Sequence, residues 1–247
     1  MPAPRYLLRR DLLLRIFRDL PPGRLLEFGC GAGALLVDLS RMGFSAVGVD
    51  QSVSARQLAQ VLNADTPAIR IAETADGEAE ASFDYLAAFE VLEHIEDDHG
   101  ALREWAQYLR RGGTLVISVP AHPERWNPAD VWAGHYRRYR RADLMALVDA
   151  AGFEKAEIQS YGFPLANFME RLAAPIYARQ TRARGAAEMS LSERTGQSGS
   201  DRRLLTRLWP FYSSLPAVLV MRMILGVQKR FCNSDRGIGY ILVARKV

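Results

Sequence analysis

The sequence predicts an α/β fold built on a doubly wound, mostly parallel sheet of seven strands. The main observation is alternation, because short apolar runs take turns with amphipathic stretches from residue 5 to residue 161. A second observation is the glycine-rich turn at 29–33, which joins the first apolar run to the stretch after it. Strands that alternate with helices favour a parallel sheet covered by helices on both faces.

The spacing of apolar residues predicts each element in turn. Leu8, Leu12 and Ile16 recur every four residues, which predicts an amphipathic helix over 5–20 that ends at Pro21 and Pro22. Further helices are predicted over 34–42, 53–62, 98–109 and 141–151. Strands are predicted over 24–28, 45–49, 68–72, 83–88, 114–119, 154–160 and 239–244.

Composition and charge bound the class of protein. The chain has 247 residues, 49% of them hydrophobic, and only two cysteines, which rules out a disulfide scaffold. Its N-terminus lacks the apolar run of a secretory signal, so we expect a cytoplasmic protein. The net charge of +4 is divided unevenly, since residues 1–160 carry 18 basic and 23 acidic side chains and residues 161–247 carry 14 and 5. This split does not describe a uniformly basic nucleic-acid-binding surface.

A long segment, 162–236, separates the sixth predicted strand from the seventh, and we call it the insertion. We predict one domain formed by 1–161 and 237–247, with the insertion as a helical cap. Its middle, about 183–200, is rich in Ser, Gly, Ala and Arg and is expected to be flexible. Three roles stay open for the insertion: a cap over a hydrophobic or anionic acceptor, a docking surface for an anionic membrane, or a homodimer interface.

The glycine-rich turn carries the main functional motif. The segment EFGCGAG, from Glu27 to Gly33, follows a strand and opens a helix, where bare peptide N–H groups can meet a ligand. Asp50 ends the next strand, in position to bind both hydroxyls of a ribose. The pattern formally fits a dinucleotide fingerprint, but Glu27 would repel a pyrophosphate and attract a cationic amino-acid group.

Four motifs, in order, resemble those of class I S-adenosylmethionine-dependent methyltransferases, in the branch with quinone-biosynthesis and natural-product enzymes. They are LLEFGCGAG at 25–33, VGVD at 47–50, SFDYLAAFEVLEHI at 82–95 and LRRGGTLVISVP at 109–120. The resemblance covers about residues 5–161 and 237–247 and leaves out the insertion. It implies a Rossmann-like sheet with an antiparallel last strand, S-adenosylmethionine as cofactor, and S-adenosylhomocysteine as product.

The resemblance also implies cofactor contacts. The glycine turn would hold the methionine part, Asp50 the ribose, and Phe89 with Glu90 would line the sulfonium end. Arg10, or its neighbour Arg9, would pair with the cofactor carboxylate, unless this helix face is simply solvated. The full set of implied cofactor residues on the strand ends is Glu27, Gly29, Cys30, Gly31, Gly33, Asp50, Gln51, Val53, Glu73, Thr74, Phe89 and Glu90.

Methyl transfer to a hydroxyl needs a base near the acceptor, because a hydroxyl is poorly ionised. His135 and His94 are the candidate catalytic residues. The alternative is that His135 and Arg138 only pin the loop after the fifth strand to the domain. No side chains have the spacing of a zinc or calcium site, so we expect no metal. The acceptor pocket would have aromatic walls, formed by Trp126, Tyr136 and Tyr139.

The function expected from this resemblance is methyl transfer to a small organic or lipid-like acceptor, at oxygen, by a cytoplasmic or peripherally membrane-associated enzyme. A nucleic-acid methyltransferase would share the fold, but the strand-four segment lacks an Asn-Pro-Pro-Tyr-like motif, and we expect no nucleic-acid partner. An inactive cofactor-binding scaffold would share the fold too, although the intact glycines and Asp50 argue against it.

Overall fold

The computed structural model describes residues 4–184 and 214–247, and these form seven strands and eight α-helices. The strands are β1 (Arg24–Phe28), β2 (Ser45–Val49), β3 (Ile69–Ala72), β4 (Phe83–Phe89), β5 (Leu109–Pro120), β6 (Phe153–Tyr161) and β7 (Gly239–Lys246). The helices are α1 (Pro4–Arg18), α2 (Ala34–Arg41), α3 (Val53–Leu62), α4 (Asp98–Tyr108), α5 (Pro128–Ala133), α6 (Arg141–Ala150), α7 (Leu165–Arg184) and α8 (Leu215–Phe231).

The strands form one sheet in the order β3-β2-β1-β4-β5-β7-β6. β1 pairs in parallel with both β2 and β4, whereas β7 runs antiparallel between β5 and β6. The predicted fold class, with its antiparallel last strand, is therefore confirmed. The strand order reverses between β1 and β4, and ligands of such sheets bind at the carboxyl ends of the strands beside that reversal.

Helices cover both faces of the sheet. On one face, Leu8 and Phe17 of α1 are fully buried and belong to the same core cluster as Val116 of β5. On the other face, α4 and α6 pack over Leu115 and Ile117, which alternate with Val116 along the strand. Each fully buried side chain of this size contributes about 1.5–3 kcal/mol, so both helical layers hold the sheet in place.

Two local features differ from the sequence prediction. β5 begins at Leu109, which pairs with Phe83, and residues 110–113 bulge out before Thr114 pairs with Tyr85. The basic and glycine residues there looked like a helix end, but Gly112 has φ of 69° and forms the bulge instead. The loop after β5 contains the short helix α5, which is too brief to give a periodic apolar pattern.

The insertion contributes α7 and α8 to the described residues. Most of its predicted flexible middle, from residue 185 onward, lies outside them, and the division into domain and insertion stays a prediction. Along 4–184 and 214–247, none of the helices combines the length and the apolar character needed to cross a membrane.

Gln228 on α8 ties the insertion to two parts of the sheet domain. Its side chain is buried, and its amide oxygen accepts a hydrogen bond of 2.7 Å from the backbone N–H of Gly162, just after β6. Its amide nitrogen donates to the carbonyl of Leu8 on α1 at 3.0 Å. One side chain therefore fixes the position of α8 against both α1 and β6.

Replacing Gln228 with Leu should lower the free energy of unfolding by about 1–3 kcal/mol, because the buried N–H of Gly162 loses its acceptor. Urea unfolding followed by circular dichroism would measure the change. Gln60→Leu, at an exposed position of α3, is the matched control and should stay within about 0.5 kcal/mol of the parent. Equal effects of the two substitutions would contradict the role of Gln228.

Candidate active site at the carboxyl ends of the strands

The turn after β1 leaves its backbone open on one side. Gly29 and Gly31 have φ of 66° and 56°, a region that favours glycine. A Cβ at Gly29 would collide with Val91, whereas a Cβ at Gly31 would meet no atom within 4 Å. The peptide groups at Gly31 therefore border open space, where a ligand can lie against them.

Asp50 is held beside this turn by backbone donors. One carboxylate oxygen accepts the N–H of Gly31 at 2.8 Å, and the other accepts the N–H of Ser52 at 2.9 Å. Arg56 lies just beyond, where it donates to the carbonyl of Asp50 at 2.8 Å and pairs with Glu73 at 2.9 Å. Several predicted cofactor residues are exposed on this side of the turn, namely Gln51, Val53, Glu73 and Thr74.

On the other side, three buried polar atoms lack hydrogen-bond partners: the Tyr6 hydroxyl, Arg9 Nε and Glu27 Oε2. The Arg9 guanidinium lies 5.9 Å from the Tyr6 ring. Burial raises the pKa of Glu27 to about 8, although nearby Arg9 acts to lower it. Arg10, in contrast, is held by two hydrogen bonds of 2.5 and 2.6 Å to Asp38 on α2.

These three atoms fit an amino-acid ligand. Buried donors and acceptors are paired in nearly all proteins, so an unpaired group at an open turn indicates a missing partner. A carboxyl group suits an ammonium ion, and an arginine with a hydroxyl suits a carboxylate. The residues present therefore fit the amino-acid end of a cofactor such as S-adenosylmethionine.

Glu90, at the end of β4, is the most connected charged group of the site. Its carboxylate accepts hydrogen bonds from Arg5 at 2.6 Å, Ser118 at 3.0 Å and the hydroxyl of Tyr161 at 2.9 Å. Arg9 lies 3.4 Å away. Burial opposes ionisation, but Arg5 and Arg9 outweigh it and lower the pKa of Glu90 to about 2.

Two histidines and a carboxyl group meet next to Glu90. The rings of His94 and His135 pack edge to face, with their centroids 4.8 Å apart. His135 Nε2 lies 3.9 Å from Glu93 Oε1. Glu93 is fully buried, and neither of its oxygens has a hydrogen-bond partner, so burial and the charge of Glu90 raise its pKa. Burial lowers the pKa of His94 to about 4, with a further contribution from His135.

This cluster is also where a metal ion could be held. Glu93, His94 and His135 each offer one donor atom, and these atoms lie within 4.8 Å of one another. Metal ions bind the ionised form of a carboxyl group, and the raised pKa of Glu93 opposes that form. The expectation of no metal stays a prediction.

The structure separates the three aromatic residues predicted to line the pocket. Trp126 and Tyr136 are 41% and 39% exposed, so both can contact a ligand from solvent. Tyr139 is buried, and its hydroxyl donates to Asp98 at 2.9 Å. Its position in the core does not favour contact with an acceptor.

Two predicted cofactor residues, Cys30 and Phe89, are also buried, and burial raises the pKa of the Cys30 thiol.

Residues 4–158 match the family model of the methyltransferase domain, and they contain the carboxyl ends of the five strands β1 to β5. The chain belongs to the methyltransferase-domain family. It is an S-adenosylmethionine-dependent methyltransferase, so the predicted enzyme class and cofactor are confirmed.

Curated relatives of this methyltransferase include ubiquinone biosynthesis O-methyltransferases. The protein from Azorhizobium caulinodans is 32% identical over 183 residues, which cover 62% of this chain and 70% of the relative. The protein from Alkalilimnicola ehrlichii is 31% identical over 118 residues, which cover 45% of this chain and 47% of the relative. The chain thus spans less than half of the second relative's length.

Solved structures share the fold of the methyltransferase at low identity. Phosphoethanolamine N-methyltransferase 2 from Haemonchus contortus, in complex with S-adenosyl-L-methionine, has a TM-score of 0.59 and 16% identity over 96% of this chain and 52% of its own. An S-adenosylmethionine-dependent methyltransferase from Mesorhizobium loti has a TM-score of 0.57 and 18% identity over 99% and 98%. These likenesses support the fold and leave the acceptor open.

Sequence reasoning missed four side chains that the structure brings to the site: Arg5, Tyr6, Glu93 and Asp130. Arg5 and Tyr6 lie on α1, where no local pattern marks the face that meets β4. Asp130 could have been found, because Asn127 and Pro128 are typical of a helix start and place Asp130 in its first turn.

Proposed function

We propose that this methyltransferase transfers the methyl group of S-adenosylmethionine to a hydroxyl oxygen of a small, lipid-like acceptor. The observation that carries the proposal is the position of His135, a potential base whose Nε2 lies 3.9 Å from Glu93 in the segment after β4. The O-methyltransferases among the relatives support oxygen as the accepting atom. A hydroxyl acceptor needs such a base because it must lose its proton, whereas an acceptor that is already ionised does not.

For the cofactor, we propose that Glu27, Arg9 and Tyr6 bind the amino-acid end, with Asp50 on the ribose and the backbone of Gly31 between them. Arg9 takes the role that the sequence left open between Arg9 and Arg10, because Arg10 is already bound to Asp38. The bound cofactor supplies a methyl group on a sulfonium, which is an excellent leaving group. The protein's own task is then to orient the acceptor and remove its proton.

Of the two candidate catalytic histidines, we propose that His135 acts as the base. Its Nδ1 is 2.9 Å from the buried carboxylate of Asp130, which holds the imidazole ring in one orientation. His94 has a pKa of about 4 and therefore binds a proton weakly at neutral pH. We propose that His94 packs against His135 and limits its rotation.

We also propose that α7 and α8 dock on an anionic membrane surface, from which a lipid-like acceptor could enter. Exposed apolar side chains recur every four residues on both helices: Phe168, Leu172 and Ile176 on α7, and Leu215, Leu219, Met223 and Val227 on α8. Exposed basic residues lie among them, including Arg171, Arg222 and Arg230. Apolar anchors beside basic side chains favour anionic membranes. The alternative use of the same stripes is a homodimer interface.

The affinity for S-adenosylhomocysteine should rise with pH between about 6 and 8. Glu27 is protonated in the free enzyme below its pKa of about 8, and an ammonium group of the ligand favours the carboxylate. Binding therefore releases a proton, and affinity should increase by up to about tenfold per pH unit until it levels off. Titration calorimetry in buffers of different ionisation enthalpy measures both the affinity and the number of protons released on binding.

The Glu27→Gln variant is the control for this pH dependence. It should bind more weakly than the parent at pH 8 and show a flat profile, because it has no proton to release. A parent enzyme that binds with constant affinity from pH 6 to 8 would contradict the role of Glu27. Glu27 has the opposite effect on the free energy of unfolding, which should fall as pH rises from about 4.5 toward 8. Over that range Glu27 ionises in the unfolded chain but stays mostly protonated in the folded one.

Methyl transfer from radiolabelled S-adenosylmethionine should be detectable on catechols that carry a prenyl tail, and should be weaker on catechols without one. His135→Gln should lower kcat by about 10²–10⁴-fold, with S-adenosylhomocysteine affinity unchanged. Cofactor binding with no transfer to any acceptor would favour the scaffold alternative. Transfer to RNA or DNA would overturn the small-molecule proposal.

Vesicle flotation tests the membrane proposal. The protein should float with vesicles that contain phosphatidylglycerol and stay behind with neutral phosphatidylcholine vesicles, and Leu219→Glu should abolish flotation. Val61→Glu changes an apolar residue on α3 that is even more exposed than Leu219, and this variant should float like the parent. The homodimer alternative would be supported if the parent floats with neither vesicle and if Leu219→Glu converts a dimeric parent into monomers.

A further inference from the structure

Asp130 occupies the centre of a hydrogen-bond network behind His135. It is buried in the first turn of α5, where one carboxylate oxygen accepts the backbone N–H of Asn127 at 2.8 Å. The other oxygen lies 2.9 Å from Nδ1 of His135 and 2.8 Å from Nε of Arg138. Every neighbour of this carboxylate therefore presents a nitrogen that can donate to it.

This arrangement fixes which nitrogen of His135 carries the proton. Burial opposes ionisation of Asp130, but hydrogen bonds from His135 and Arg138 outweigh it and lower its pKa to about 2. A carboxylate only accepts hydrogen bonds, so Nδ1 of His135 must be the protonated nitrogen. The lone pair of a neutral His135 then lies on Nε2, on the side where Glu93 and His94 meet.

Arg138 connects the same network to the insertion. Its side chain is buried, and its Nη2 donates to Glu170 on α7 at 2.6 Å. Glu170 also accepts a hydrogen bond of 3.2 Å from the side chain of Asn127, which begins α5. Through Glu170, α7 therefore holds both Arg138, which supports Asp130, and Asn127, which caps the N-terminus of α5.

We propose that Asp130 is a positioning residue for the His135 base, and that Glu170 of α7 holds Asp130 in place through Arg138. This inference rests on the proposed function, because it assigns the orientation of a base that O-methylation requires. It goes beyond the simpler role in which His135 and Arg138 only pin the loop, because a structural link needs the same tautomer but has no effect on kcat. The insertion helix α7 thus helps to orient the imidazole of His135.

Nitrogen-15 NMR of the imidazole side chains tests the orientation directly. The chain has four histidines, so each resonance can be assigned by single His→Gln substitutions. At a pH where His135 is neutral, its spectrum should show the tautomer protonated on Nδ1, with a downfield Nδ1 proton that exchanges slowly. A His135 protonated on Nε2 in the parent would overturn the proposal, whatever the enzyme's activity.

Kinetics separate positioning from a structural role. Asp130→Asn should lower kcat by about 10²–10⁴-fold, with KM and S-adenosylhomocysteine affinity within about twofold of the parent. Glu170→Gln keeps the side-chain volume and should lower kcat by about tenfold while weakening the downfield proton signal. Asp143→Asn removes an exposed carboxylate on α6 and should leave both readouts unchanged.

The outcomes distinguish this inference from the proposed function. A folded Asp130→Asn enzyme with parental kcat would show that the carboxylate only pins the loop. If no acceptor is methylated, the NMR arm still decides, because the tautomer and the loss of the downfield proton in Glu170→Gln need no acceptor. An unchanged proton signal in Glu170→Gln would overturn the link to α7.

Discussion

A single half-buried carboxylate, Glu90, joins elements that are far apart in the chain. It accepts hydrogen bonds from α1 through Arg5, from β5 through Ser118 and from the end of β6 through Tyr161. Its φ of 60° is unfavourable for a residue with a side chain, a cost of about 1–3 kcal/mol that these partners offset. Without the carboxylate, two arginines would lack their counter-charge at the sheet edge.

Burial and the ionised Glu90 together raise the pKa of the neighbouring Glu93. A second negative charge at the buried Glu93 would be repelled by Glu90, and neither oxygen of Glu93 has a hydrogen-bond partner. Glu27 is buried further along the same edge, and its pKa of about 8 leaves it mostly protonated at pH 7. At this end of the sheet, Glu90 therefore carries the negative charge, whereas the pKa values of Glu27 and Glu93 are raised.

The sequence predicted the parts of the fold that depend on local patterns. Strands β1 and β2 were placed to the residue, because continuous apolar runs, glycine turns and a terminal Asp50 mark their ends. It missed the start of β5, where the bulge at 110–113 depends on pairing with β4. In the site, the glycine motif was visible, but the contact of Arg5 with Glu90 spans 85 positions and leaves no local pattern. Such long-range pairs are decided by how α1 packs, which periodicity alone does not specify.

The charge split of the chain acquires a physical meaning in this arrangement. The basic insertion reaches the acidic domain through two buried polar anchors, Gln228 against α1 and Glu170 against Arg138. One anchor supports the helix that carries Arg5 and Arg9, and the other supports the loop that carries His135. Because buried hydrogen-bonded anchors tolerate little displacement, any movement of α7 or α8 must shift the cofactor side, the base side or both. If the insertion binds the acceptor, these two attachments couple that binding to the assembly of the proposed catalytic groups.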